Sequence, residues 1–475
     1  MTFTDTQGGG TSSVLAEVRE GEYGSKINAI EPGGAEFIPI ADRHGRPSSL
    51  FWTWMSPNLE FATVYVGVIA VLFFSLTLWQ AVAALVLGNL LGSVAHGILS
   101  ARGPMFGVPQ MIMSRIPFGF LGNILPAGLN AVVAGVGWFA VNSVSGAFAL
   151  STLTGVPKEL ALAIVVVAQI AIAFLGHNFL QAFERAAFPI LAVAFLLAMV
   201  VIVGKADSSA APGGGGWGGF LITLGAAFGY AAGWTPYGSD YTRYLPVTVS
   251  RRMTGLWAGL GVFVSCTALE IVGALSATIA APQDATPTAA FTNAMPTAIA
   301  DLVLLAIFIG AVSANAMNVY SGTMSFLALG FKLPMKLRRA IVALGFGVLG
   351  GILAYNGLTD VSKYENFLLV IAYWIGPWLG VVFTDQFLRR GHRVDGFLFD
   401  RRHNPIAGFA AMAIAMVVSI WLFSNQVQYT GPLPTKYPWL GDIAFEVGFV
   451  LAALMYALIY KLQRDKADEV MVLPA

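Results

Sequence analysis

The sequence predicts an all-α polytopic membrane protein with 12 transmembrane helices, and three observations predict it. The chain is strongly apolar, with a mean hydropathy of +0.73. Only 11% of its 475 residues are charged, against roughly 25% in a soluble protein. The apolar residues also gather into windows of about 20, the length an α-helix needs to cross a bilayer.

Twelve such windows run along the chain: 51–76, 79–100, 120–150, 158–177, 186–204, 217–237, 254–280, 301–328, 338–355, 364–388, 405–424 and 440–461. They are spans 1 to 12 below. Charge tests the count independently, because cytoplasmic loops collect Lys and Arg. With the N-terminus inside, the inside segments hold Arg19, Lys26, Arg43 and Arg46, then Arg102, Arg115 and Arg185. Arg243, Arg251, Arg252, Lys332, Lys336, Arg338 and Arg339 follow, then Arg389, Arg390, Arg393, Arg401 and Arg402, and finally Lys461, Arg464 and Lys466. That is 22 of the 26 basic residues; Lys158, Lys205, Lys363 and Lys436 fall outside. One span too many or too few in the middle would scramble this sorting. It places a multi-pass protein in a cytoplasmic membrane with both termini cytoplasmic.

The remaining composition excludes other classes. A net charge of +1 leaves no basic surface for nucleic acid, so the expected partners are the lipid bilayer and a small molecule. The lone Cys266 permits no intrachain disulfide. The first residues are polar and acidic, without the basic and apolar regions of a signal peptide, so span 1 is expected to be retained. Residues 1–50 read as a cytoplasmic N-terminal tail. Gly213-Gly214-Gly215-Gly216 reads as a linker in an outside loop, since no strand precedes it as a phosphate cradle requires. Ser/His/Asp sets, HExxH and P-loops do not appear, and His96 and His177 lack metal-ligand spacing. The chain is therefore not read as an enzyme, and no cofactor is expected.

Two spans carry breakers. Span 1 contains Trp54-Met55-Ser56-Pro57-Asn58-Leu59-Glu60, and span 6 contains Gly229-Tyr230-Ala231-Ala232-Gly233-Trp234-Thr235-Pro236-Tyr237-Gly238. Proline removes a backbone donor and glycine tolerates unwinding. Broken backbone survives at membrane depth only inside protein or along a cavity. The breaks stand at the first helices of two sets of five. Corresponding breaks in two halves point to an inverted-repeat transporter with its site at the midplane. Ordinary proline kinks are the competing reading.

Polar residues inside the spans supply candidates. In span 3, Trp138 and Asn142 are four apart and share a helix face. An indole beside an amide suits a flat heteroaromatic ligand, although Trp packing and an interhelical amide bond would account for both. Gly135 would allow a close approach to the backbone. In span 8, Asn315 and Asn318 are three apart. Buried amides need partners, either a neighbouring helix or a ligand, and Asn318 is the better ligand candidate. Glu60 and Glu270 are intramembrane carboxylates, functional candidates by default. Glu60, just past the first break, is the better candidate for ion coupling, and backbone donors of the unwound segment are the alternative explanation. Asp385 reads as one half of a surface ion pair with Arg389 or Arg390. Trp52, Trp54, Trp79 and Trp217 lie near span ends, as interfacial Trp does.

Several stretches together resemble the nucleobase:cation symporter family, in its purine–cytosine permease branch of cytosine, purine, uracil, thiamine and allantoin permeases. They are Ile30-Glu31-Pro32 leading to Phe51-Trp52; Gly103-Pro104 through Gly107-Val108-Pro109-Gln110-Met111, with Arg115 and Phe118-Gly119; Gly137 to Asn142; Ser239-Asp240-Tyr241-Thr242-Arg243-Tyr244; and the Asn-rich run of span 8. The resemblance implies a LeuT-like fold with a 5+5 inverted repeat. Helices 1–5 would form the first repeat (51–204) and helices 6–10 the second (205–390), followed by helices 11–12 and a C-terminal tail (391–475). Substrate would sit between spans 1, 3, 6, 8 and 10. By resemblance, Trp138 stacks on the base, Asn142 bonds its edge and Asn318 is the polar contact from span 8. Tyr230, or else Trp234, closes the other face. Ser56 and Asn58 fall where span 1 approaches substrate. Sodium-coupled relatives carry two adjacent hydroxyl residues in span 8, whereas this chain has Val312-Ser313. Ser313 would be a ligand only if the coupling ion is Na+. A single hydroxyl favours H+ with Glu60 as carrier, and both ions stay open.

The expected function is secondary active import of a nucleobase, cytosine or a purine, by symport with H+ or Na+ through alternating access. Permeation of allantoin, a hydantoin or another small N-heterocycle is the alternative. A channel would lack a saturable site, and a membrane-embedded enzyme would need a nucleophile or metal set that the chain does not carry.

Overall fold

The structure, a computed structural model, describes residues 34–175, 177–281, 286–331, 338–358 and 363–463. Arg19, Lys26, Ile30-Glu31-Pro32, Lys332, Lys336, Arg464 and Lys466 lie outside the described residues, as does the side chain of His177.

Helices stand where the twelve windows were read. Span 1 is Ser49–Met55, a 3₁₀ turn Ser56–Asn58, and Phe61–Leu72. Spans 2 to 5 are Leu78–Ser100, Ile124–Thr154, Lys158–Leu175 and His177–Lys205. Span 6 is Gly216–Ala232, a 3₁₀ turn Thr235–Tyr237, and Gly238–Thr242. Spans 7 to 12 are Arg251–Ser276, Thr297–Ala328, Arg338–Gly357, Lys363–Leu388, Ile406–Phe423 and Ala444–Leu462. Among the described residues, eight helices and the bent pair of span 1 are long and apolar enough to cross a bilayer.

Local signals explain several boundaries. Thr77 starts span 2 with a capping box: its hydroxyl accepts from the Gln80 N–H, and the Gln80 side chain accepts from the Thr77 N–H at 3.1 Å. Gly155, in the left-handed region at φ 76°, ends span 3. The largest difference from the sequence reading is at span 5, which begins at His177 rather than 186. Residues 178–185 lie between the windows of spans 4 and 5, where a loop is expected. In the structure the helix runs through them, burying Glu184 and leaving Arg185 exposed.

Packing follows the expected repeat. Span 1 lies against span 7, and span 6 against span 2. Exchanging 1 with 6 and 2 with 7 turns one contact into the other. Small residues make both close, as lipid-embedded helices require. A Cβ on Gly67 would strike the Glu270 carbonyl, one on Gly273 the Val64 carbonyl, and one on Gly92 the backbone of Ala232. Replacing Gly273 by Leu is expected to force spans 1 and 7 apart, where overpacking costs about 1–3 kcal/mol or more. Fluorescence-detected size exclusion should then show several-fold less monodisperse protein. A wild-type profile would mean that the two spans are not in this contact.

Three segments are tied together around Arg43 and Arg243. Ile38 N–H donates to the Gly107 carbonyl at 2.9 Å. Arg43 donates to the carbonyls of Ile38 and Pro104 at 3.0 and 2.6 Å. Gly107 must be glycine, because its φ is +64° and the Arg43 guanidinium occupies the place a Cβ would take. Burial, with a smaller effect from Arg243, pulls the Arg43 guanidinium down to about 10, which leaves it charged at neutral pH. Arg243, fully buried, donates to the Gly34 carbonyl at 2.8 Å and to the hydroxyls of Tyr244 and Tyr320. Asp240 accepts from Gln110 N–H at 2.9 Å, and Ser239 donates to the Val108 carbonyl at 2.6 Å. The two stretches most specific to the resemblance therefore meet here.

Candidate functional site

The two breaks face each other. In span 1 the helix stops at Leu59, Glu60 is fully extended at φ −151° and ψ 173°, and Phe61 restarts the helix at 60° to the first part. Side chains satisfy the freed backbone, as membrane depth demands. Asn58 Nδ2 donates to the Trp54 carbonyl at 2.8 Å, and Thr63 Oγ1 donates to the Asn58 carbonyl at 2.6 Å. In span 6, Thr235 Oγ1 bonds the Ala232 carbonyl at 2.6 Å. His96 of span 2 sets Nδ1 3.0 Å from the Trp234 carbonyl, which ties span 2 to this break. Gly310 lets span 8 approach the first break, since a Cβ there would meet the Leu59 carbonyl.

Between the breaks lies a small cavity. Pro57, Trp138, Asn142, Tyr230, Gly233, Trp234, Ala314 and Asn318 line it. Spans 1, 3, 6 and 8 thus each contribute. Span 10 stands one layer behind, with Phe367 edge-on to Trp138 at 5.2 Å between centroids. Tyr230 meets Trp138 at 5.3 Å and 89°, so indole and phenol form two walls of one corner. None of the lining side chains is charged.

Of the residues expected at the site, the structure brings together Trp138, Asn142, Asn318, Tyr230 and Trp234. Both span 6 aromatics line the cavity. Ser56 and Asn58 do not line the cavity. A 3₁₀ turn rotates about 120° per residue, and it is Pro57 that points inward. Asn58 instead accepts from Trp234 Nε1 at 2.8 Å and holds that indole in place. Trp138 sits at the end of a π-helical stretch, Val133–Trp138, a feature frequent at functional sites. Gly135 does admit a close approach, but from the Phe346 ring and the Gly322 backbone of protein helices.

The acids fall into distinct settings. Glu60 accepts from Tyr230 OH at 3.3 Å, and Tyr230 OH also lies 2.5 Å from Thr63 Oγ1. Glu60 is therefore one residue behind the cavity wall. Glu270 accepts from Asn89 Nδ2 at 2.6 Å. Ser313 has its hydroxyl 2.7 Å from each carboxyl oxygen of Glu184. Sequence reading missed Glu184; Phe179, Leu180 and Phe183 ahead of it recur at helical spacing and signal only that the helix continues through it, not which way it faces. Asp385 corrects the expectation of a surface pair. It does pair with Arg389, at 2.8 Å, but both are buried and Tyr456 OH donates to Asp385 at 2.6 Å. Trp54 is likewise no interfacial residue. It is fully buried, edge-on to His96, Trp234 and Tyr241, whereas Trp52, Trp79 and Trp217 are exposed.

Comparison with known proteins agrees with this architecture. The sequence profile of a family described as permease for cytosine/purines, uracil, thiamine and allantoin matches residues 37–448. YxlA of Bacillus subtilis (strain 168), provisionally named a purine-cytosine permease, is 28% identical over 91% of this chain and 96% of its own. The purine-cytosine permease fcyB of Emericella nidulans is 28% identical over 90% of this chain and 87% of its own. Among solved structures, Mhp1, a nucleobase-cation-symport-1 family transporter in a closed conformation with bromovinylhydantoin bound, superposes with a TM-score of 0.71. It is 18% identical, over 91% of this chain and 96% of that one, a likeness of fold.

Proposed function

The chain belongs to the family of permeases for cytosine/purines, uracil, thiamine and allantoin, and on that premise we propose that it imports a neutral, flat nucleobase, cytosine or a purine, together with a cation. The cavity lining carries this reading. An indole face, a second aromatic wall and two amides suit a heteroaromatic ring with polar edges. The absence of charge among the lining residues disfavours an ionic substrate, because a buried charge needs a partner. The names of the relatives point to the same substrates. In this reading Trp138 stacks on the ring, Tyr230 and Trp234 bound it, and Asn142 and Asn318 bond its edge. The two five-helix repeats, 51–204 and 205–390, move relative to each other to expose the site alternately.

The cation, H+ or Na+, belongs in this proposal at Glu184 and Ser313, with Glu60 as the second candidate acid. Glu184 joins span 5 to span 8, so a cation held there ties the two repeats together. The sorting of basic residues supports a plasma-membrane topology with both termini in the cytoplasm.

A thermal-shift screen of the purified protein, in sodium or choline at two pH values, tests the substrate. Cytosine, adenine or hypoxanthine is expected to raise the midpoint by several degrees. A shift with allantoin or a hydantoin alone would keep the site and replace the substrate.

A further inference from the structure

Asn315 lies in span 8, fully buried, one turn from Asn318 and outside the cavity lining. Its amide spans two environments. Nδ2 donates to the backbone carbonyl of Phe139 at 2.8 Å. A backbone carbonyl only accepts, so that end of the amide must be the NH2. The oxygen end is thereby fixed in the opposite direction. There Oδ1 accepts from Asn142 Nδ2 at 3.0 Å and from Asn318 Nδ2 at 3.3 Å.

One backbone carbonyl thus sets the orientation of three amides. Both cavity amides spend an N–H on Asn315. The Asn318 oxygen accepts from Tyr237 OH at 3.2 Å. The Asn142 oxygen is buried with no partner in the protein, although a buried acceptor left unpaired costs about 1–3 kcal/mol. That oxygen is the acceptor a ligand would complete.

We propose that Asn315 is the positioning residue that fixes the hydrogen-bond polarity of the site. It holds Asn142 so that its carbonyl oxygen, not its NH2, meets the substrate. The site therefore selects heterocycles that present an N–H donor to this wall, and rejects those in which that N–H is methylated or absent. Without Asn315, either cavity amide can turn over and offer a donor instead. The inference rests on the proposed substrate class for its ligands but not for its logic, since any N-heterocycle has an edge of one polarity or the other.

The test is a set of affinities measured on full-length protein for paired ligands: adenine against purine and against 9-methyladenine, cytosine against 1-methylcytosine, and hydantoin against its two N-methyl derivatives. Wild type is expected to lose at least 10-fold on removing one N–H of whichever parent binds. In Asn315→Ala the parent should weaken about 10-fold, in line with one lost hydrogen bond, and the penalty within the pair should fall to under 3-fold. Asn315→Asp keeps an oxygen toward both amides and, as the neutral acid, can still donate to Phe139. It should restore the wild-type discrimination at low pH, which a merely structural role would not do, and it stands in if the alanine variant fails to fold. Unchanged discrimination in Asn315→Ala would overturn the proposal, as would a wild type that binds every methylated partner as well as its parent. The two failures are separable: hydantoin binding with the expected discrimination would correct the substrate and keep the role of Asn315. A wild type that binds none of the parents would overturn both.

Discussion

Glu184→Gln is expected to end concentrative uptake while leaving exchange intact. In proteoliposomes carrying an imposed proton or sodium gradient, the variant should bring labelled cytosine only to equal concentrations inside and out. Counterflow, which needs no gradient, should persist. The argument is geometric. Each Glu184 oxygen is 2.7 Å from the Ser313 hydroxyl, and a hydroxyl has one proton to give. That one proton, shared between the two oxygens, leaves the carboxylate's charge uncompensated, and a transported proton or sodium ion is what would neutralise it. A carboxylate at this depth is also costly when uncompensated. Glutamine mimics the compensated state permanently, so the carrier can cycle but no longer couples the two fluxes. One charge moved through 100 mV supplies about 2.3 kcal/mol, equivalent to about 50-fold accumulation, and this is what the variant should lose. Accumulation at the wild-type level would remove Glu184 from coupling and return the role to Glu60. In the wild type, dependence of uptake on the proton gradient or on the sodium gradient identifies the ion.

Trp138→Ala is expected to weaken substrate binding by between about 5-fold and 150-fold, the range that corresponds to 1–3 kcal/mol for one base stacked on one aromatic ring. Transport at low substrate concentration should fall with it, while the protein remains folded in the membrane. Trp138→Phe should recover part of the affinity, because a smaller face still stacks. Asn142→Ala should cost a comparable amount, since the substrate N–H would lose its acceptor. Isothermal titration on detergent-purified protein measures both. Wild-type affinity in either alanine variant, for every ligand that binds, would mean that the cavity between the breaks is not the substrate site. The two substitutions are close enough to couple, so the double variant should fall short of the sum.

Part of the cavity lining was legible from pattern and periodicity; Tyr230 and Trp234 came through the family resemblance, and Pro57, Gly233 and Ala314 join them only in the structure. Trp138 and Asn142 share a helix face, and Asn318 is an amide at membrane depth. Each stands out against an apolar background. The residues that orient them were less legible. The resemblance implies that Asn58 approaches substrate; in the structure a 3₁₀ turn directs Pro57 into the cavity, and Asn58 accepts from Trp234 Nε1. Glu184 falls between the windows of spans 4 and 5, because two adjacent charges, Glu184 and Arg185, lower the local hydropathy. Its burial depends on which way the helix faces.

The sequence by itself determined the twelve spans, the side on which the basic residues lie and the two broken helices, because hydropathy, charge and proline act within about 20 residues of chain. The tertiary structure alone decided the pairings across the bundle: Glu184 with Ser313, Asn315 with Asn142, Arg243 with Gly34. Those partners are 129, 173 and 209 residues apart. A side chain's direction in a helix that is apolar all round leaves no periodic trace, so only packing against the other helices chooses which polar groups meet.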